Sequence, residues 1–322
     1  MQFVFGGHSV FVPYGVGWLL ICGIVGRNSP TRNTLRNLIL AAGKITLLAN
    51  PRPQTNRVFS YLKNIDPKSV PPWWVFHVPH DSTLIPDNIR NQFIVSDEVL
   101  DHEILRMTDS HTHDLFVEDL PQHQVVRCPV SRLVVDVERF EQDAEERMSA
   151  RGMGVIYEVT HDLRPLRRAI SASERESLIE TWYRPHHSAL SAAVDIALSE
   201  FGRAFVVDVH SFPPKALPYE DSATALRPEI CIGTDSFHTP GTIVESLLKE
   251  FESLGFNTAV DTPFSGALVP AKHYRGDKRV SAVMIEVRRD LYMDEETGNR
   301  NRNFIEVRKK LRKMLISFSI KR

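Results

Sequence analysis

One short segment near the middle of the chain constrains the fold more than any other. Residues 205–211 read Phe-Val-Val-Asp-Val-His-Ser and lie between Gly202 and Pro213. A mostly β-branched apolar run bounded by turn residues predicts a short buried strand. Asp208 and His210 interrupt this run at its carboxyl end, and in open α/β sheets that end borders the crevice where ligands bind.

The composition is that of a folded globular protein. The chain has 322 residues, 42% hydrophobic and 25% charged, with a net charge of −1, which suits one large domain or two smaller ones. The first 65 residues contain seven basic and no acidic residues. The other 32 of the 39 Lys and Arg residues stand against all 40 Asp and Glu residues, so the remainder carries −8. Because an acidic body disfavours polyanions, we expect no nucleic-acid partner.

Residues 1–65 are predicted to be a poorly structured or spurious extension that folding can dispense with: a poor export signal, or translated sequence upstream of the true start. The uncharged stretch 1–26 has no preceding Lys or Arg, and Pro13 and several glycines interrupt it. We therefore expect no membrane anchor. A single α/β domain is predicted over 66–322. The three cysteines lie far apart with no C-x-x-C spacing, which disfavours a disulfide framework and fits the cytoplasm.

Strands and helices alternate along this predicted domain. A helix is predicted to begin at Ser96. A capping box at Ser173 and Glu176 predicts the start of a second helix, which is predicted to end at Pro185. Strands are predicted at 74–78, 133–137, 205–209, 229–233 and 282–288. The alternation predicts an α/β fold whose mostly parallel or mixed central sheet is covered by helices on both faces.

Three strand ends or loops carry residues that could ligate a metal ion: His80, the pair Asp109 and His111, and His210. Imidazole and carboxylate form the ligand set of a catalytic zinc, which keeps an open position for a water with a pKa of about 7. Asp208 could fix the tautomer of His210 from behind. Alternatively, His210 only caps its strand by bonding a backbone carbonyl.

Glu286 is a carboxylate inside the apolar run at 282–288. Burying a lone charge is costly, so this residue is either paired or functional. Near a metal ion it could be a general base, whereas the alternative is a salt bridge with Arg139, Arg288 or Arg289. These arginines could instead hold a substrate carboxylate through a bidentate fork, or be solvated surface charges.

Seven short motifs follow one another along the body of the chain. They are Val78-Pro79-His80, Thr108-Asp109 with Leu115-Phe116 behind it, Val135-Asp136-Val137-Glu138-Arg139, Tyr183-Arg184-Pro185-His186-His187, Asp208-Val209-His210-Ser211, Thr262-Pro263-Phe264-Ser265-Gly266 and Ile285-Glu286-Val287-Arg288-Arg289-Asp290-Leu291-Tyr292-Met293. In this order they resemble the N-formylglutamate amidohydrolases, over about residues 75–294. The resemblance implies a phosphorylase/hydrolase-like fold, related to zinc carboxypeptidases and aspartoacylase.

The resemblance also implies a metal centre and a catalytic group. One zinc ion is implied on His80, Asp109 and His210, with His111 as the substitute for Asp109. Glu286 is implied as the catalytic carboxylate. The implied reaction is hydrolysis of N-formyl-L-glutamate, or of a close N-acyl amino acid, to formate and the free amino acid. The alternatives are a deacylase or peptidase for another N-acyl amino acid, and a non-catalytic binding protein on the same fold.

The resemblance further implies which residues bind a small-molecule substrate: Arg139, Arg289, His187 and Gly266. Glu138 and Arg288 depart from the pattern, since each stands where Asn is common. We expect these two residues to face each other as a compensating pair. Because they flank the expected pocket, the departures concern the identity of the substrate more than metal binding.

Overall fold

The structure, a computed structural model, describes residues 10–14, 17–21, 70–220 and 227–320. The chain divides into two compact units, Met1–Lys63 and Asn64–Arg322. In the first unit, β1 (Val10–Tyr14) and β2 (Gly17–Ile21) pair in antiparallel fashion. The rest of the predicted extension lies outside the described residues, so its dispensability stays a prediction. Within the described ranges, no helix is long and apolar enough to cross a membrane.

The second unit is built on a six-stranded sheet. Its strands are β3 (Trp74–Val78), β4 (Val125–Arg127), β5 (Ala204–Phe212), β6 (Ile230–Gly233), β7 (Thr258–Val260) and β8 (Val280–Arg288). They lie in the order β4-β3-β5-β8-β6-β7. The first four are parallel, whereas β6 is antiparallel to β8 and parallel to β7. The carboxyl ends of the four parallel strands therefore meet at one edge.

Helices cover both faces of this sheet, which confirms the predicted fold class. The helices are α1 (Asp87–Arg90), α2 (Asp97–Met107), α3 (Thr112–Phe116), α4 (Ala172–Leu178), α5 (Arg184–Phe201), α6 (Gly241–Ser253) and α7 (Phe304–Ile320). Side chains of α3, α6 and α7 pack in one cluster against the sheet, and side chains of α5 pack in another. As predicted, Ser96 caps α2, with its hydroxyl accepting from the Val99 backbone.

The alternation of side chains along β5 decides which residues face which layer. Phe205, Val207 and Val209 belong to the cluster with α7, whereas Ala204 and Val206 belong to the cluster with α5. Because successive side chains in a strand point to opposite faces, the residues at 208 and 210 share the α5 side. Each large apolar side chain buried here stabilises the fold by about 1.5–3 kcal/mol.

The predicted strand at Leu133–Val137 is wrong, although the segment is buried. Its backbone groups bond to a loop and to a side chain: the Asp136 amide donates to the Val155 carbonyl at 2.8 Å, and Arg167 donates to the Leu133 carbonyl at 2.5 Å. Such pairing satisfies buried backbone groups as well as a sheet ladder does. A short apolar run therefore cannot by itself distinguish a strand from a buried irregular segment.

The helix boundaries around residues 171–185 also differ from the prediction. The capping box is formed by Ser171 and Glu174, two residues before the predicted pair. Pro185 does not end the helical pattern, because the π-helical turn Ile179–Tyr183 joins α4 to α5 and places Pro185 in the first turn of α5. A first-turn residue needs no amide donor, so proline is tolerated there.

Candidate active site

The parallel strands bring four polar side chains to one edge of the sheet, on the α5 face. His210 is the register partner of Glu286 on β8, and Asp208 is the register partner of His77 on β3. Asp208 Oδ1 lies 2.8 Å from His77 Nδ1 and 3.0 Å from His210 Nε2. Asp208 thus meets His210 at Nε2, whereas the opposite nitrogen, Nδ1, is bonded by Asp109. Sequence reasoning missed His77, because it lies within an otherwise apolar strand.

His80 lies two residues beyond β3 and is held from behind by a carboxylate. Its Nε2 is 2.7 Å from Asp136 Oδ1, while Asp136 Oδ2 accepts hydrogen bonds from Arg132 at 2.8 Å and from the Tyr157 hydroxyl at 2.5 Å. His80 Nδ1 is buried and has no hydrogen-bond partner among the described residues. Burial and Arg132 lower the pKa of His80, but Asp136 and Asp109 outweigh them and raise it. The free nitrogen is therefore in a strongly cation-attracting environment.

His210 has the same arrangement, with Asp109 as its carboxylate. His210 Nδ1 is 3.0 Å from Asp109 Oδ2, and Arg289 Nη2 donates to Asp109 Oδ1 at 2.9 Å. Asp109 Oδ2 also lies 3.7 Å from His80 Nδ1, and the Asp109 amide donates to the His80 carbonyl. Although burial raises the pKa of Asp109, its contacts with His210, His80 and Arg289 hold it well below the ordinary value. Asp109 is therefore a fixed anion between the two histidines.

Glu138 reaches the two histidines from the turn that follows Asp136. Its Oε2 is 3.2 Å from His210 Nε2 and 3.9 Å from His80 Nδ1, and one donor atom from each of the three residues lies within 4.8 Å of the others. The predicted pairing of Glu138 with Arg288 is wrong, because Arg288 donates to Asp290. The sequence marked Glu138 as unusual but gave no sign that it points at the histidines.

Glu286 is buried, and its Oε2 has no hydrogen-bond partner among the described residues. Burial raises the pKa of Glu286 to about 8; His210 opposes this, whereas Asp109 and Glu138 reinforce it. Within the described ranges no salt bridge joins Glu286 to an arginine. The alternative prediction, a salt bridge between Glu286 and an arginine, is therefore wrong. A carboxyl group that can exchange a proton near neutral pH lies beside His210.

The two predicted substrate arginines differ in how fully they are already bonded. Arg289 is buried and donates to Asp109, to the hydroxyl and carbonyl of Ser211, and to the Arg106 carbonyl. Four of its five N–H groups are thus engaged. Arg139 is partly exposed, and its Nε has no hydrogen-bond partner among the described residues. Arg139 thus makes an ion pair with Asp136 but no side-chain hydrogen bond within the described ranges, whereas Arg289 positions Asp109.

His187 supports the turn that carries Glu138 and Arg139. Its Nε2 donates to the Val137 carbonyl at 2.8 Å, and the Tyr183 hydroxyl donates to the Arg139 carbonyl at 2.8 Å. Burial, followed by the neighbouring His77, lowers the pKa of His187 to about 4. A neutral His187 therefore fixes the backbone of this turn from α5.

His111 and Gly266 lie farther from the histidine pair. His111 Nε2 bonds the Gly298 carbonyl at 2.9 Å, so the structure brings Asp109 and not His111 to His80. Gly266 has φ +102°, a conformation that favours glycine. It belongs to the loop that follows β7, and farther along this loop the Leu268 amide donates to Asp208 Oδ2 at 3.3 Å. That contact connects the loop to the site.

The donor set fits a divalent cation. His80 presents a buried nitrogen without a partner, and both histidines carry a carboxylate on the opposite ring nitrogen, the arrangement that orients ligating imidazoles in metal sites. The carboxylates Asp109 and Glu138 add the oxygen donors. Two imidazoles with a carboxylate suit zinc and related first-row metal ions.

Comparisons with known proteins identify similar sequences and structures. Residues 73–293 match the family model described as N-formylglutamate amidohydrolase. A curated relative, an N-formylglutamate deformylase of Pseudomonas aeruginosa, is 24% identical over 227 residues, which cover 68% of this chain and 81% of that protein. The crystal structure of an N-formylglutamate amidohydrolase from Ralstonia eutropha has a TM-score of 0.68 at 23% identity, covering 77% of this chain and 93% of that one. A gene product of Agrobacterium tumefaciens has a TM-score of 0.53 at 20% identity, covering 80% and 95%.

Proposed function

Because the chain belongs to the N-formylglutamate amidohydrolase family, we propose that it hydrolyses N-formyl-L-glutamate, or a close N-acyl amino acid, in a zinc-dependent reaction. One observation carries the proposal: a buried histidine pair, each ring braced by a carboxylate, lies beside a buried glutamate whose Oε2 is free. Amide hydrolysis needs an activated water and a group that moves its proton, and this cluster offers both. A cytoplasmic location stays a prediction.

The ligands proposed for the zinc ion are His80, His210 and one carboxylate. The contacts favour Glu138 over the predicted Asp109 as that carboxylate, because Asp109 is already bonded by Arg289 and suits the role of bracing His210. When bound, the ion polarises the substrate carbonyl, lowers the pKa of water and favours the ionised form of Glu286.

Glu286 is the proposed general base. Its unpartnered Oε2 is poised to accept a proton from the attacking water and to pass it to the departing amine nitrogen. Burial raises the pKa of Glu286 to about 8 in the metal-free chain, and a bound cation would lower it, so the group is suited to hold and release a proton within one turnover. The amide C–N bond breaks as the amine takes up that proton, and formate and the free amino acid are released.

Arg139 is the proposed recognition residue for a substrate carboxylate. Asp136 Oδ2 lies 3.7 Å from its Nε, and the Tyr183 hydroxyl holds its backbone, so the guanidinium is oriented but not consumed by internal bonds. A fixed guanidinium suits bidentate binding of a carboxylate. Arg289 contributes indirectly, by fixing Asp109 and Ser211. His187 likewise supports recognition by fixing the Arg139 turn, and Gly266 stays a predicted substrate contact.

The decisive experiment measures formate release from N-formyl-L-glutamate by the purified full chain, with and without a chelator. We expect activity that the chelator abolishes and zinc restores. Glu286→Gln should lower kcat by about 10²–10⁴-fold, the usual contribution of a general acid or base, while metal content is unchanged. Exposed Glu245→Gln is the matched control and should behave as wild type. Unchanged turnover in Glu286→Gln would show that Glu286 is not the general base and has only a structural role.

Substrate class is tested with Arg139→Ala. Losing a charge-assisted contact typically costs about 1.5–3 kcal/mol, so KM for N-formyl-L-glutamate should rise roughly 10- to 100-fold with little change in kcat. N-formyl amino acids with a single carboxylate should be processed about as poorly as before. Arg164→Ala, on an exposed loop, is the control. If wild type hydrolyses neutral-side-chain N-acyl amino acids as fast as N-formyl-L-glutamate, the chain is a broader N-acyl amino acid deacylase.

A further inference from the structure

A second group of ligand-type side chains adjoins the histidine pair. His77, Glu138 and Asp208 each offer a donor atom within 4.8 Å of the other two. They come from β3, from the turn after Asp136 and from β5, so three separate segments converge. We propose that the chain binds two divalent cations, the second on His77, Glu138 and Asp208, with Glu138 shared between the two sites. This extends the zinc centre of the proposed function.

The charge of the carboxylates in this group favours a second cation. Each of the carboxylates Asp109 and Asp136 is hydrogen-bonded by an arginine. Glu138 and Asp208 differ, because in the described part of the chain their ion-pair contacts are with histidines alone. Asp208 is buried, and its Oδ1 lies within 3.0 Å of a nitrogen of both His77 and His210. Because ligating histidines are neutral, a cation between Glu138 and Asp208 would supply the positive charge that balances the two carboxylates.

The hydrogen bonding of His77 also suits a metal ligand. Its Nε2 lies 2.8 Å from Nε2 of His186, the first buried histidine of α5. When His77 donates to His186, its Nδ1 lone pair points at Asp208 and Glu138. Ligating histidines commonly donate from the opposite ring nitrogen in this way.

The position of the Glu138 carboxylate suits a ligand that two ions share. Its Oε1 is 3.6 Å from His77 Nδ1, and its Oε2 is 3.2 Å from His210 Nε2. Two ligands about 2.1 Å from a tetrahedral ion are roughly 3.3–3.5 Å apart, so each oxygen has the spacing of a ligand in a different group. One carboxylate that faces two ligand groups is the geometry of a bridged pair, whose ions lie about 3.5–4 Å apart.

The test is metal stoichiometry, measured on the full chain by equilibrium dialysis against Zn²⁺ and elemental analysis. Wild type should bind two ions. His77→Gln removes a ligand of the second ion alone and should bind one, and Glu138→Gln should bind one at most. Asp195→Asn is the matched control, because it removes a carboxylate bonded to His273 at a distant surface position, and it should still bind two. Thermal melting of each variant establishes that it is folded.

A second readout makes the result independent of variant stability. With Mn²⁺ in place of Zn²⁺, electron paramagnetic resonance of wild type should show an exchange-coupled pair, because a bridging carboxylate couples the two spins. Saturation of wild type at a single ion would overturn the second site and leave the zinc amidohydrolase proposal intact. Two uncoupled ions, or a second ion that His77→Gln retains, would also overturn it. Saturation at no ion would refute both proposals.

Discussion

Toward the carboxyl ends of the central strands, the two faces of the sheet are equally buried but chemically opposite. Toward α7, Phe76, Val209 and Ile285 are at most 1% exposed and belong to one apolar cluster. One residue away along the same strands, toward α5, lie His77, His210 and Glu286, at most 7% exposed. Burial alone therefore does not distinguish core from site. What distinguishes them is whether the buried groups have polar atoms that are aimed at one another or at a ligand.

The apolar side chains toward α7 and the polar groups toward α5 also differ in their effect on stability. Apolar side chains on the α7 face stabilise the fold by about 1.5–3 kcal/mol each. On the α5 face, Glu286 is held in a setting that disfavours its charge, as its raised pKa shows. Catalytic groups are commonly maintained at a cost in stability, which the surrounding core offsets. Substitutions on the two faces should therefore separate activity from stability.

The largest effect on function is expected from His210→Ala. Loss of one of its two histidine ligands should empty the site on His80 and His210 and abolish measurable turnover, because the remaining donors hold that ion too weakly. Metal analysis and formate release are the measurements. Normal zinc content in the folded variant would show that His210 is not a metal ligand. It would also contradict the chemical difference between the two faces.

Phe76→Ala should affect the opposite property. Truncating a fully buried phenylalanine typically costs about 3–5 kcal/mol, through lost burial and the cavity that is left. We expect a large fall in unfolding free energy in a denaturant titration, with metal content and kcat of the folded fraction near wild type. A variant that kept its stability but lost metal would show that the two faces are not separable.

Glu286→Gln should change the pH dependence of stability in the metal-free protein. The folded-state pKa of about 8 lies above the ordinary 4.5, so the folded chain keeps a proton that the unfolded chain loses, and stability falls as pH rises from about 4.5 to 8. Removing the group removes this fall. The variant should be more stable than wild type by roughly 3 kcal/mol at pH 7 and about equally stable at pH 4.5. Identical curves from chelator-treated samples would contradict the raised pKa.

Much of the sheet could be predicted from local patterns. The strand at 74–78 has the predicted bounds, while β5 and β8 are longer than predicted at one or both ends. These strands are buried on both faces, so their apolar runs are continuous and recognisable. Leu133–Val137 has the same composition and is not a strand, because its backbone partners come from a loop and from Arg167. Pairing partners are not encoded in a local run.

The same limit applies to the candidate site. His80, Asp109 and His210 were selected from the sequence, and the structure brings them together. The sequence did not show which carboxylate can bind a ligand. That choice depends on Arg289, which lies 180 residues beyond Asp109 and donates a hydrogen bond to it. The approach of Glu138 to His210, and the contact of His77 with Asp208, depend equally on segments far apart in sequence.

The sequence by itself determined the strands around 74–78, 205–209 and 282–288, the shared side of β5 on which Asp208 and His210 lie, and the family to which the chain belongs. These properties follow from residue order, because strand periodicity and ordered motifs are local. The tertiary structure alone decided that Glu138 points at the histidines, that Arg289 is bonded to Asp109, and that Glu286 lies beside His210 with an Oε2 that has no hydrogen-bond partner among the described residues. The reason is physical: charge, burial and hydrogen bonding at a site are properties of side chains that meet only when distant segments pack together.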